Sequence, residues 1–148
     1  MKKAEQNKEK IARLTRDIEE CKADIARISQ AKGIDIDVDA IKFYESPLND
    51  TWARDHAFIT LLGDNVPHYL DFCFNGWGRK FEASLDNAIN GKLYDAGIVK
   101  GEYEDCTSFV LEGGSIESDG KGTILTTSQC LLAPHRNQPM EKEEIEAC

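Results

Sequence analysis

Between residues 57 and 112 the apolar residues change period twice, and that order leaves few folds open. Ala57-Phe58-Ile59-Thr60-Leu61-Leu62 is a short apolar run of strand length. Gly63-Asp64-Asn65 supplies turn chemistry, and Tyr69-Leu70-Asp71-Phe72-Cys73-Phe74 returns as a second strand, so the pair reads as a hairpin. Asn75-Gly76-Trp77-Gly78 interrupts it. Phe81, Leu85, Ala88, Ile89, Leu93 and Ala96 then recur at helical spacing, and Gly97 stands where a helix would stop. Ser108-Phe109-Val110-Leu111-Glu112 is a third strand. Strand, strand, helix, strand defines an α/β unit.

The flanks add to it. Ile11, Leu14, Ile18, Cys21, Ile25 and Ile28 follow 3-4-3-4-3 spacing, an amphipathic helix over residues 4 to 30 with Lys32-Gly33 as its stop. Two uses of the stripe stay open, cover for a sheet or a short coiled-coil seam. Ile41-Lys42-Phe43-Tyr44-Glu45 has the composition of a short strand, and Ser46-Pro47-Leu48-Asn49-Asp50 that of a loop. Ile116-Glu117-Ser118 and Thr123-Ile124-Leu125-Thr126-Thr127 flank Asp119-Gly120-Lys121-Gly122, a further hairpin signal. After Pro139, Glu141-Lys142-Glu143-Glu144-Ile145-Glu146 opens like a helix, with acids where the dipole favours them. The expected organisation is an N-terminal amphipathic helix, 1–32, and an α/β domain, 33–148.

Charge narrows the partners. Residues 1–32 carry nine Lys/Arg against six Asp/Glu, and the remainder carries nine against twenty-one. An acidic body repels phosphate backbones, which disfavours nucleic acid and suits a cationic ligand, although solubility alone also accounts for it. No apolar run approaches the roughly 20 residues of a membrane helix, and the first residues lack the apolar stretch of a signal peptide. The expected setting is soluble and cytoplasmic. Cys21, Cys73, Cys106, Cys130 and Cys148 form no C-x-x-C pair, and His56, His68 and His135 are scattered, so spacing signals no metal site.

Two acids stand at strand ends. Asp55 closes Asn49-Asp50-Thr51-Trp52-Ala53-Arg54-Asp55, a loop leading into the first strand. Glu112 ends the third strand in Leu111-Glu112-Gly113-Gly114-Ser115, where two glycines permit close approach. A pair of carboxylates suits a guanidinium, which is planar, permanently charged and forked in its donors. Trp52 would supply an apolar, cation-attracting wall. Spacing alone favours plainer roles: Asp55 paired with Arg54 or a buried amide, and Glu112 capping the glycine turn.

Taken in order, Asn49–Asp55, Phe74-Asn75-Gly76-Trp77-Gly78, Leu111-Glu112-Gly113-Gly114-Ser115-Ile116 and Gly122–Thr127 with Cys130-Leu131-Leu132 and Asn137 resemble the agmatine deiminase family. That family is also called Porphyromonas-type peptidylarginine deiminase, and the resemblance covers about residues 41–146. It implies a pentein, a fivefold α/β propeller of strand-strand-helix-strand modules with its active site in the central channel. It implies that Asp55 and Glu112 bind the substrate guanidinium, that Trp52 lines the pocket, and that the ligand is agmatine or peptidyl arginine. It also implies a cysteine nucleophile, a proton-shuttling histidine, a thiouronium intermediate and no metal or organic cofactor. Agmatine and water would give N-carbamoylputrescine and ammonia, a step of polyamine metabolism.

The departures are as informative. No His-x-Asp occurs: His56, His68 and His135 are followed two residues later by Phe58, Leu70 and Asn137. Cys130, in Thr126-Thr127-Ser128-Gln129-Cys130-Leu131-Leu132, matches a structural cysteine of the family and not its nucleophile. The expectation is a partial pentein, about one complete strand-strand-helix-strand module plus parts of its neighbours, holding the guanidinium acids without the catalytic His and Cys, inactive alone. Its uncovered strands are expected to drive self-association. The alternative is a non-catalytic binding or interaction module derived from that fold.

Overall fold

A computed structural model describes residues 2–63 and 66–148. They divide into two units, Met1–Glu45 and Ser46–Cys148.

The first unit is built on α1 (Lys2–Lys32). It ends as Lys32-Gly33 predicts: Gly33 takes a φ of 66°, and the Ile34 amide bonds back to the Ser29 carbonyl at 2.9 Å. This is a Schellman closure, which an L side chain at Gly33 would strain. The apolar stripe is less even than its spacing suggests. Leu14, Ile18 and Ile25 are half-buried, whereas Ile11 and Ile28 are 65% and 48% exposed. A strict 3.5-residue repeat drifts around a straight 3.6-residue helix, so its ends leave the covered face. Residues 41–45 form no strand; the segment is irregular and has no strand partner among the described residues. Its composition favours a strand, but a strand exists only where a neighbour takes its hydrogen bonds.

The second unit contains the module. Strands β1 (Ile59–Leu62) and β2 (Pro67–Cys73) are antiparallel, with Ile59 opposite Leu70 and Leu62 opposite Pro67. Asp64 and Asn65 of their expected turn lie outside the described residues. After one distorted turn, α3 (Gly76–Arg79), the expected single helix is two pieces, α4 (Ser84–Asn87) and α5 (Ile89–Asp95), closed at Gly97 by a second Schellman bond from Ile98 to Leu93. It starts later than its periodicity suggests, leaving Phe81 65% exposed. Strand β3 (Glu102–Val110) then pairs parallel to β2, which gives sheet order β1-β2-β3. It begins six residues before the expected strand. Its first half, Glu102-Tyr103-Glu104-Asp105, is acidic at three of four positions and conceals the strand in any apolar reading.

The β2–β3 register shifts between Phe72 and Cys73: Phe72 faces Cys106, and Cys73 faces Val110. The extra β3 residues bend outward, with the Thr107 amide and hydroxyl both donating to Asp105 Oδ1. Pairing resumes when the Leu111 amide bonds the Cys73 carbonyl. Such a bulge re-aims the strand end, here the residues around Glu112. Beyond it, β4 (Ile116–Ser118) and β5 (Ile124–Thr126) form the second hairpin. Two short helices follow, α6 (Ser128–Leu131) and α7 (Lys142–Ile145), the latter opened by a Glu141–Glu144 capping box.

Polar bonding, more than apolar burial, ties these pieces together. Among the described residues the buried hydrophobic side chains are Phe74, Ala83 and Ile145, while Ser29, His56, Asp71, Asp86, Asn90, Glu112 and Asn137 are buried polar ones. Asp71 joins α5 to the sheet, accepting from Asn90 Nδ2 at 2.7 Å and from the Tyr103 hydroxyl at 2.8 Å. Burial, with the neighbouring Asp71, pushes the Tyr103 phenol well above its ordinary pKa. Tyr94 stacks on Tyr103 and Phe58 packs on Tyr69, forming the aromatic layer beneath.

Candidate functional site

Asn49 and Asp86 set the position of the 49–56 segment. Asp86, 1% exposed, accepts with Oδ1 from the amides of Asn49 (2.7 Å) and Asp50 (3.2 Å). The Leu85 amide donates in return to Asn49 Oδ1 at 2.8 Å. The chain then makes one helical turn, α2 (Ala53–His56). Asp55 therefore lies on a short helix, not on the expected loop. Asn90 Nδ2 anchors the end of that turn through the His56 carbonyl.

Asp55 is half-buried, and both carboxylate oxygens are engaged. Oδ1 accepts from the Gly114 amide and Oδ2 from Trp77 Nε1, each at 3.2 Å. Asp55 thus bonds a backbone amide, on the exposed Gly114 and not the buried amide left open in the sequence, and Arg54 turns away to the Ile116 carbonyl and the Glu117 carboxylate. The fit is tight. A Cβ on Gly113 would collide with the Arg54 carbonyl, and one on Gly114 with Asp55 Oδ1. These glycines are what allow the Glu112 segment to lie against the Asp55 turn.

Glu112 is 3% exposed, and its side chain does not cap the glycine turn; the Ser115 amide and hydroxyl use its backbone carbonyl instead. Its Oε1 forms an ion pair with Arg136 Nη1. Burial pushes the Arg136 guanidinium below its ordinary pKa, and nearby Asp55 works in the opposite direction. Asp55, Glu112 and one guanidinium therefore share a neighbourhood.

Trp52 is 57% exposed and meets Trp77 edge-on, with ring centroids 6.4 Å apart. Trp77 adopts a left-handed φ of 58° and packs against Phe74 and Phe81 while donating to Asp55. Such a conformation costs of order 1 kcal/mol in a non-glycine residue, and the surrounding contacts hold it. Sequence reasoning did not assign roles to Trp77, Arg136 or Asp86. Trp77 stood in a motif read as a strand breaker. Asp86 sat inside a helical pattern as an ordinary polar position. Nothing local marked Arg136, whose partner lies 24 positions earlier in the chain. No group of His, Cys, Asp and Glu able to hold a metal ion occurs among the described residues, and no helix among them is long and apolar enough to cross a membrane.

Residues 1–148 match the Porphyromonas-type peptidyl-arginine deiminase family throughout, and the chain belongs to that family. It is 37% identical over 119 residues to the agmatine deiminase of Ectopseudomonas mendocina, covering 76% of this chain and 32% of that protein. The structure of C. jejuni agmatine deiminase with substrate bound superposes with a TM-score of 0.65 at 40% identity, over 75% of this chain and 33% of that one. Agmatine deiminase of Enterococcus faecalis gives 0.64 at 36%, over 70% and 30%. The chain thus spans about a third of the length of the relatives it matches, and its fold is that of part of a pentein deiminase.

Proposed function

We propose that this chain carries the guanidinium-binding part of a guanidine-group hydrolase, with Asp55 and Glu112 as the binding acids and Trp52 as an apolar wall. The Gly114–Asp55 hydrogen bond carries this reading, because it draws the Glu112 segment against the Asp55 turn across 59 positions of sequence. Asp55 Oδ1 and Oδ2 each accept one neutral N–H, and a carboxylate oxygen has a second lone pair for a cation. Kinship with proteins named agmatine deiminases makes agmatine the first ligand to test, with peptidyl arginine second. In the reaction inferred for the whole family, a thiolate adds to the guanidinium carbon, ammonia leaves, and water displaces the thiolate to give the ureido product. No residue here is assigned as nucleophile or proton shuttle.

Calorimetric titration of agmatine into the chain tests the reading. The unmodified chain is expected to bind, and Asp55→Asn or Glu112→Gln to lose about tenfold or more, the scale of a hydrogen bond to a charged group. Equal affinity in all three would overturn the assignment. An arginine-containing peptide that displaces agmatine would favour the peptidyl substrate. Ammonia release is expected to stay at buffer level, and turnover abolished by Asp55→Asn would reverse that expectation.

A further inference from the structure

Glu112 is enclosed, and the cation that meets it belongs to the chain itself. Arg136 Nη1 and Glu112 Oε1 face each other in an ion pair, and neither atom has a hydrogen-bond partner elsewhere among the described residues. The two side chains are 9% and 4% exposed. Oε2 takes no hydrogen bond from any described residue, so the ion pair with Arg136 leaves it able to accept one.

The pairing is braced from both ends. Asn137, the next residue, accepts from the Val110 amide at 2.8 Å and donates to the Val110 carbonyl at 3.0 Å, imitating a strand partner for β3. Adjacent residues of the 132–140 loop thus grip Val110, the last residue of β3, and Glu112 just beyond it. Asn75 Nδ2 holds the same loop through the His135 carbonyl, and Gln138 Oε1 accepts the Arg136 amide. At Gly78, where φ is 86°, an added Cβ would lie 3.1 Å from the Pro134 carbonyl and 3.4 Å from Arg136 Nε. The glycine keeps that passage open. Arg136 from this loop pairs with Glu112, and Asp55 from α2 acts electrostatically on Arg136.

We infer that Arg136 is a positioning residue for guanidinium binding: it clamps Glu112 through Oε1, keeps that carboxylate ionised inside the protein, and presents Oε2 to the incoming cation. The inference rests on the guanidinium-binding reading above. A carboxyl group buried beside another acid and without a cation takes up a proton near neutrality, and a neutral acid no longer attracts a guanidinium. With Arg136 present, two acids and one resident cation leave one negative charge for the ligand to neutralise.

The test is the pH profile of agmatine binding by the full chain, with the Arg136→Gln and Arg136→Lys variants. The unmodified chain should bind almost equally at about pH 6 and pH 8. Arg136→Gln should lose about tenfold at the lower pH relative to the higher, the effect of roughly one unit of altered protonation. Arg136→Lys should restore the flat profile in large part. Equal weakening at every pH would mean a purely structural role and would overturn the inference. Tighter binding by Arg136→Gln would mean that Arg136 occupies the ligand's own seat, and would also overturn it. If the unmodified chain binds no agmatine, the guanidinium reading fails. The clamp is then judged by carboxylate infrared bands of glutamate-labelled protein, with Glu112→Gln assigning the signal. Glu112 ionised near pH 6 in the unmodified chain and protonated in Arg136→Gln would sustain the clamp; an ionised Glu112 in both would refute it.

Discussion

Gly114 shows how closely the candidate site is built. Its amide reaches Asp55 Oδ1 at 3.2 Å because no side chain intervenes. Gly114→Ala would place a methyl group on the carboxylate, which must rotate away or push the Glu112 turn outward. A misplaced carboxylate loses a charge-assisted bond of about 1.5–3 kcal/mol. Agmatine affinity should therefore fall about tenfold or more while far-UV dichroism is unchanged, and calorimetry beside a dichroism spectrum checks both. Asp55, Glu112 and Trp52 were singled out in the sequence by the resemblance of their motifs to the family's, while spacing alone favoured plainer roles for both acids. Arg136 and Asp86 were not, since their significance arises from partners 24 and 36 positions away. No local periodicity encodes such a partner.

The elements divide by the same logic. Helix α1 and both hairpins were legible because their apolar periods or turn residues are local properties. The charged start of β3 was not, because its place in the sheet comes from β2. Nor was the absence of a strand at 41–45, which depends on the lack of a pairing partner. The elements also contribute unequally to stability. Phe74, one residue past β2, is 3% exposed and touches His56 and Trp77, while Leu62 on β1 is 88% exposed. Phe74→Ala should cost about 3–5 kcal/mol as a cavity forms. Leu62→Lys should change stability by less than about 0.5 kcal/mol. Urea unfolding of the two variants would order them, and a Leu62→Lys penalty as large as that of Phe74→Ala would show that β1 is covered in solution.

For the whole chain, the sparse apolar core sets the expectation. Leu61, Leu62, Ile124 and Leu125 are at least half exposed, and the buried hydrophobic side chains among the described residues are few. A typical domain is stable by only about 5–15 kcal/mol, and each large apolar side chain left in water forgoes roughly 1.5–3 kcal/mol. Exposed strand faces of this kind recruit other chains. Light scattering after gel filtration should show mass rising with concentration, and thermal unfolding should be broad. A monomer at all concentrations with one steep transition would favour the self-sufficient binding module over a part of a deiminase.

The staple between Asn49 and Asp86 carries a consequence for what any affinity measurement on this chain reports. The turn bearing Asp55 is not rigid by its own making; four residues of helix cannot hold themselves. It is held because Asp86, from α4, accepts the two amides that precede it. Whenever α4 frays, the Asp55 turn loses its seat, and the receptive form becomes one member of a larger ensemble. The apparent dissociation constant is then the intrinsic one divided by the fraction of molecules with the staple closed. Agmatine would report the closure of α4 as much as the chemistry of the acids, and a ligand that binds would in turn protect the α4 amides from hydrogen exchange.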